Sequence, residues 1–172
     1  LVLTVQLLSK KYHPVLYWSV MVFTLTGGTT MSDYIDRTLA LGYPLGSLLL
    51  ISILLAILAI WHASEKTLSV ENITTFKVEL LYWMAILFSN TLGTALGDFL
   101  ADSSGLGFMG GAALIGSLLV LVVLANYWTK ISKIVLFWIA FILTRPFGAT
   151  FGDVLTKKHE KGGLDLGTIP SS

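Results

Sequence analysis

Three aspartates recur at one spacing in this 172-residue chain, each fifteen positions after a tryptophan. Trp18 leads to Asp33, Trp83 to Asp98 and Trp138 to Asp153. Each Asp also has threonine about one helical turn before it: Thr29 and Thr30, then Thr94, then Thr150. Residues three or four apart on a helix are neighbours, so carboxylate and hydroxyl oxygens would share a face. Such a set of hard oxygens suits a dehydrated alkali or divalent cation, or a proton relay. A carboxylate repeated at fixed depth in lipid is expensive, and that cost argues for use. The plainer alternative is that each Asp ends its helix or faces the aqueous rim. Asp36 and Asp102, a turn or so later in two of the copies, read as rim groups.

Arg145 is the other residue with chemistry to explain. It stands seven residues past Trp138, about 10 Å along a helix and well inside a bilayer. An arginine at that depth needs a carboxylate, a cluster of carbonyls or water. Pro146 follows it, cannot donate a backbone hydrogen bond, and would free a carbonyl or kink the helix. Asp153 is about 12 Å further along the same helix, too far for an unaided pair, so Asp98 from another copy is the expected partner. Such a pair would lock helices together. An anion contact, or a gate released when the partner is protonated, stays open beside it.

The elements that must hold these groups are helices. Small residues fall ten and fourteen positions after each Trp: Gly28 and Ser32, Gly93 and Gly97, Gly148 and Gly152. That small-xxx-small spacing lets another helix backbone approach closely. Fifteen helical residues rise about 22 Å, which puts Trp18, Trp83 and Trp138 near one membrane interface, where indoles anchor. The composition agrees: 55% hydrophobic and 12% charged, with a mean hydropathy of +0.81, against roughly 25% charged in an ordinary soluble domain. Lipid must therefore solvate much of the chain.

Five stretches could span a bilayer, near 15–36, 45–62, 80–101, 108–128 and 134–155. They alternate between a motif helix and a uniformly apolar filler helix. The expected fold is all-α: a polytopic transmembrane helix bundle of parallel two-helix repeats. The expected layout is the tail of a preceding transmembrane helix at 1–9, repeat A at 10–65, repeat B at 66–130 and repeat C at 131–172, the last with its second helix truncated. Leu-Gly recurs after each Asp, at Leu41-Gly42, Leu106-Gly107 and Leu166-Gly167. Lysines before the motif helices (Lys10, Lys11, Lys66, Lys77, Lys130, Lys133) outnumber the basic residues of the opposite loops (Arg37, Lys157, Lys158, Lys161). That bias turns the Trp ends towards the cytoplasm.

Other chemistries find little support. A formal charge of +1 without a basic patch gives no case for nucleic acid. Without cysteine there are no disulfides, thiolate metal sites or cysteine nucleophiles. The three histidines lack metal-ligand spacing, so no cofactor is expected. No nucleophile elbow, phosphate loop or dinucleotide turn is present, and the expectation is a non-enzyme.

The blocks Tyr82-Trp83…Gly93-Thr94-Ala95-Leu96-Gly97-Asp98 and Thr144-Arg145-Pro146-Phe147-Gly148-Ala149-Thr150-Phe151-Gly152-Asp153, followed by Gly163-Leu164-Asp165-Leu166-Gly167-Thr168, resemble a bacterial family of membrane-anchored proteins. That family is built from a tandem repeat of unknown function, four repeats in full members, each with two transmembrane segments. The resemblance implies repeats two to four of such a protein, and it implies no activity. The first copy departs from the pattern at Ser32. Two functions fit these residues. One is a small cation or proton-coupled transporter or channel in the bacterial cytoplasmic membrane. In it Asp33, Asp98 and Asp153 line the pathway with Thr29, Thr94 and Thr150, and Arg145 holds one carboxylate at rest. The other is a membrane scaffold or sensor whose Asp and Arg groups are interhelix locks. The partners expected are the lipid bilayer and a small ion or solute, and a homo-oligomer is compatible with either.

Overall fold

The computed structural model describes residues 2–9, 13–70, 73, 75–159 and 163–167. Lys10, Lys11, Lys161 and Thr168, used above for orientation and resemblance, lie outside them. Among the described residues six α-helices follow in order: α1 (Val2–Leu8), α2 (Pro14–Asp33), α3 (Gly42–Glu65), α4 (Phe76–Asp98), α5 (Gly107–Trp128) and α6 (Lys133–Thr156). Local chemistry sets several ends. Pro14 opens α2, where its missing N–H and fixed φ cost nothing. Thr75 caps α4, its hydroxyl accepting from the Val78 amide at 3.3 Å. The repeated Leu-Gly marks one backbone turn: Gly42, Gly107 and Gly167 all have positive φ, at 71°, 65° and 76°. Glycine adopts that conformation without a Cβ penalty.

The fold is helix-only and built of repeated helix pairs. Among the described residues, four helical spans are long and apolar enough to cross a membrane: Gly42–Glu65, Phe76–Ser103, Gly107–Trp128 and Lys133–Thr156. The fifth expected span, α2, has the length at 20 residues. Its Ser19, Thr24, Thr26, Thr29, Thr30 and Ser32, with Gly27 and Gly28, dilute its apolar character.

Helix α4 is the hub. It packs against α2, α3 and α6, and α5 covers α6. The three motif helices therefore stand side by side in the order α2, α4, α6, and they run parallel. At the Trp end the Tyr17 and Tyr82 hydroxyls hydrogen-bond at 2.9 Å. Midway, Asn90 donates to the Thr24 hydroxyl at 3.4 Å. At the far end residues following Asp33, Asp98 and Asp153 meet in one cleft. The filler helix α3 runs antiparallel to α4, as its late residue Trp61 packs on the early Tyr82 and Ser64 accepts from the Lys77 ammonium.

The motif glycines explain the close spacing, and they repeat in register. A Cβ on Gly28 would lie 2.9 Å from Asn90 Cβ, and one on Gly93 would overlap the Cβ of Arg145. Asn90 and Arg145 hold the same place, seven positions after their tryptophans. A Cβ on Gly97 would likewise lie 2.9 Å from Ala149 Cβ. Each motif helix thus presents its small face to the same face of the next. Gly148 and Gly152 have no described atom so close.

Two features were not expected from the sequence. Directly after Asp33 and Asp98 the helices widen into π-helical turns, Tyr34–Thr38 and Phe99–Ser103. These close with i to i+5 bonds, Leu39 to Tyr34 and Ser104 to Phe99. In the third copy α6 ends at Thr156, and Leu164, Asp165 and Leu166 fold back onto its last carbonyls. The second feature is that two of the three motif tryptophans point inward. Trp83 is 2% exposed and Trp138 3%, whereas Trp18 is 63% exposed. The indole of Trp138 donates to the Leu68 carbonyl at 3.0 Å and packs edge-on to Trp61. Trp83 lies against Tyr17 and Tyr82. The anchoring role expected for Trp83 and Trp138 is therefore corrected: they bind helix to helix, because a central hub helix leaves them no lipid-facing side. Trp18 alone of the three is exposed.

Candidate functional site

The motif carboxylates are set at the end of each helix by the constant fifteen-residue spacing, and the parallel packing brings those ends together. A polar cleft of about 370 Å³ lies there, lined by Arg37, Asp98, Ala101, Asp102, Gly107, Phe108, Asp153 and Lys157. Asp98 and Asp153 face it directly. Asp33 stands one step back, paired through its carboxylate to Arg37 at 3.4 Å. Asp153 is paired in the same i, i+4 manner to Lys157 at 3.7 Å. Arg37, beyond the end of α2, is held protonated above its ordinary range by Tyr43 first and by Asp33 next.

Asp98 differs. Its i+4 neighbour is Asp102, at the position where the flanking repeats have Arg37 and Lys157. The charges that act on Asp98 are Asp102, Asp33, Arg37 and Asp153, and it makes no ion pair within 4 Å among the described residues. The centre of the row thus carries two carboxylates, with a cation from the repeat on either side. The sequence reading missed this relation and took Asp36 and Asp102 as rim groups. The signal was present in the residue four positions after each motif Asp.

The threonines do not join the cleft lining. Each spends its hydroxyl hydrogen on its own helix: Thr29 on the Leu25 carbonyl at 3.2 Å, Thr94 on Asn90 at 3.4 Å, Thr150 on Pro146 at 2.9 Å. Such back-bonding is a common fate of hydroxyls on apolar helices. Thr29 and its neighbour Thr30 are exposed, Thr94 is half-buried and Thr150 is buried against Gly111.

Arg145 does not pair with Asp98, and that expectation is corrected. Its guanidinium lies 5.0 Å from the centroid of the Phe141 ring, in cation–π range. Its nearest titratable neighbours are Tyr82 and Tyr17, towards the Trp end. The buried Nε has no hydrogen-bond partner among the described residues. The reason is longitudinal. Arg145 packs on Gly93, more than a turn short of Asp98, so its side chain meets the aromatic layer. Helix α6 runs through Pro146 unbroken, although the Ile142 carbonyl loses its helical donor there.

Among the described residues no group of three or more His, Cys, Asp or Glu side chains has a geometry that could hold a metal ion. The cleft's carboxylates are accordingly spread around a space and do not converge on one point.

Helix pairs repeated in the same sense, buried hydroxyl and amide groups, and a charged cleft at one end define a membrane-embedded helical bundle of tandem repeats. The chain belongs to a family described as a Repeat of Unknown Function (DUF347), whose model matches it three times, at residues 16–67, 81–132 and 136–172. No curated protein and no solved structure matches it.

Proposed function

We propose that the chain is a small transporter or channel for a cation, proton-coupled or not, and not an enzyme. We place it in the bacterial cytoplasmic membrane, within the membrane-anchored family whose motifs it resembles. The observation that carries the reading is the convergence of the repeats on one polar cleft, with Asp98 at its centre making no ion pair among the described residues. A carboxylate near the end of a membrane helix, flanked by pairs that can exchange partners, attracts a cation and releases it again. The incoming ion would compete with Arg37 and Lys157 for Asp33 and Asp153. The threonine oxygens keep lone pairs free after their hydrogens are donated, and Thr29, Thr94 and Thr150 remain candidate ligands deeper along the path. Arg145 takes no part as a gate for Asp98. It sits among aromatic rings and repels cations from the helix interface.

The scaffold or sensor reading is favoured by one observation: two of the three motif carboxylates are tied to cations of their own helices. Asp98→Asn separates the two. A unit charge about 4 Å from a cation contributes about 4 kcal/mol near a protein surface. Cation flux into proteoliposomes should therefore fall at least roughly tenfold, with helical content and melting temperature unchanged. Unchanged flux in a folded variant would remove Asp98 from the pathway.

A further inference from the structure

Repeat A buries three oxygen-bearing side chains outside the cleft lining, Ser32 and Asp36 around the first π turn and Ser47 beside Gly46, on which Asp36 packs. Asp36, in the first π turn, is 6% exposed. Its Oδ2 accepts from the Ser32 hydroxyl at 3.2 Å, and Ser32 is 1% exposed. Its Oδ1 is buried with no hydrogen-bond partner among the described residues. That oxygen presses on the first turns of α3 so closely that a Cβ on Gly46 would overlap it. The next residue, Ser47, is 6% exposed, and its hydroxyl is also buried with no hydrogen-bond partner among the described residues. The charged groups nearest Asp36 are Asp33 and Arg37, which are paired to each other.

Repeat B supplies an internal control. A shift of 65 positions superimposes Trp18 on Trp83, Asp33 on Asp98 and Gly42 on Gly107. The same shift turns Ser32 into Gly97, Asp36 into Ala101 and Ser47 into Ala112, while Gly46 becomes Gly111. The close approach is kept, since a Cβ on Gly111 would lie 3.1 Å from Leu100 Cβ, and Leu100 corresponds to Ile35 beside Gly46. All three oxygen-bearing side chains change together to residues that cannot bind anything. Helix packing alone is satisfied by Gly, Ala and Ala at this locus, so the polar set in repeat A answers another requirement.

We propose that Ser32, Asp36 and Ser47 form a site for a dehydrated monovalent metal cation between the first π turn and the start of α3. An unpaired buried carboxylate and an unpaired buried hydroxyl are costly to leave without a partner. A single positive charge neutralises the one carboxylate, whereas divalent ions collect more acidic ligands. Hydroxyl and carboxylate oxygens are the hard ligands that alkali ions take. The site is separate from Asp98 and does not depend on the transport reading.

Thermal unfolding of the 172-residue chain in detergent micelles tests it, in lithium, sodium, potassium and choline chloride at equal ionic strength and pH. One alkali ion should raise the melting temperature saturably over choline. At a concentration a hundred times its dissociation constant the folded-to-unfolded ratio should rise about a hundredfold. In an Asp98→Asn background, which removes the cleft carboxylate as an alternative site, Ser47→Ala and Asp36→Asn should abolish the ion-specific rise, and Ser52→Ala, an exposed α3 hydroxyl bonded to the Leu48 carbonyl, should keep it. If Asp36→Asn fails to fold, Ser47→Ala decides. Equal melting temperatures in all four salts would overturn the proposal. So would a rise that survives in both site variants, or a stability that varies with pH and ignores the alkali ion, which would make a proton the occupant.

Discussion

The difference between Asp98 and its two counterparts comes down to one residue four positions later. Arg37 and Lys157 sit where an i, i+4 carboxylate pair can form, and Asp102 puts a second negative charge in that place. Asp102→Lys gives the central repeat the arrangement of its neighbours. Under the transport reading this variant should fold at least as well as the parent and conduct at least about tenfold less, because Asp98 would then be held by its own helix. Equal conduction, measured side by side in proteoliposomes, would show that the free carboxylate is incidental. Trp138 makes a smaller claim. Its indole hydrogen bond to Leu68 ties α6 to the linker after α3. Trp138→Phe should cost about 1 kcal/mol for that bond, read as a lower melting temperature, with flux little changed. The motif aspartates and their spacing were legible in the sequence. The partners of Arg145 were not, because a distance along one helix says nothing about the level at which a neighbouring helix presents its side chains.

At the scale of the helix, Gly28, Gly93 and Gly97 stand where a neighbouring helix leaves no room for a Cβ. The sequence could not say which helix they would meet. The answer is the face seven positions after the next tryptophan, Asn90 for one step and Arg145 for the next. Gly93→Ala should drive a methyl into Arg145 and cost about 1–3 kcal/mol. Gly148→Ala meets no described atom within 4 Å and should be close to neutral. A pair of melting curves checks both, and equal losses at the two positions would contradict the register described here. The π turns were invisible to periodicity because an i to i+5 turn needs no distinctive residue type. Their consequence is specific. By widening the helix just past Asp33, the first of them turns Asp36 inward towards α3, which is why a residue that reads as a rim carboxylate is buried.

Across the whole molecule, the alternation of motif and filler helices, the helix pairs and the parallel sense of the repeats follow from the sequence pattern. An even number of helices per repeat returns every motif to the same side. The pattern left open how the motif helices are arranged laterally, and that arrangement creates the site. A central α4 flanked by α2 and α6 gathers three helix ends into one cleft. It also buries Trp83 and Trp138, which sequence logic assigns to the lipid interface. The function turns on whether that gathering moves ions. The most direct measurement is flux through proteoliposomes holding the chain, across protons, alkali ions and divalent metals, beside an Asp33→Asn, Asp98→Asn, Asp153→Asn triple variant. Flux should appear for one cation and be lost in a triple variant that keeps its helical content. No flux for any cation from folded protein, or flux undiminished in the folded triple variant, would contradict the transport reading.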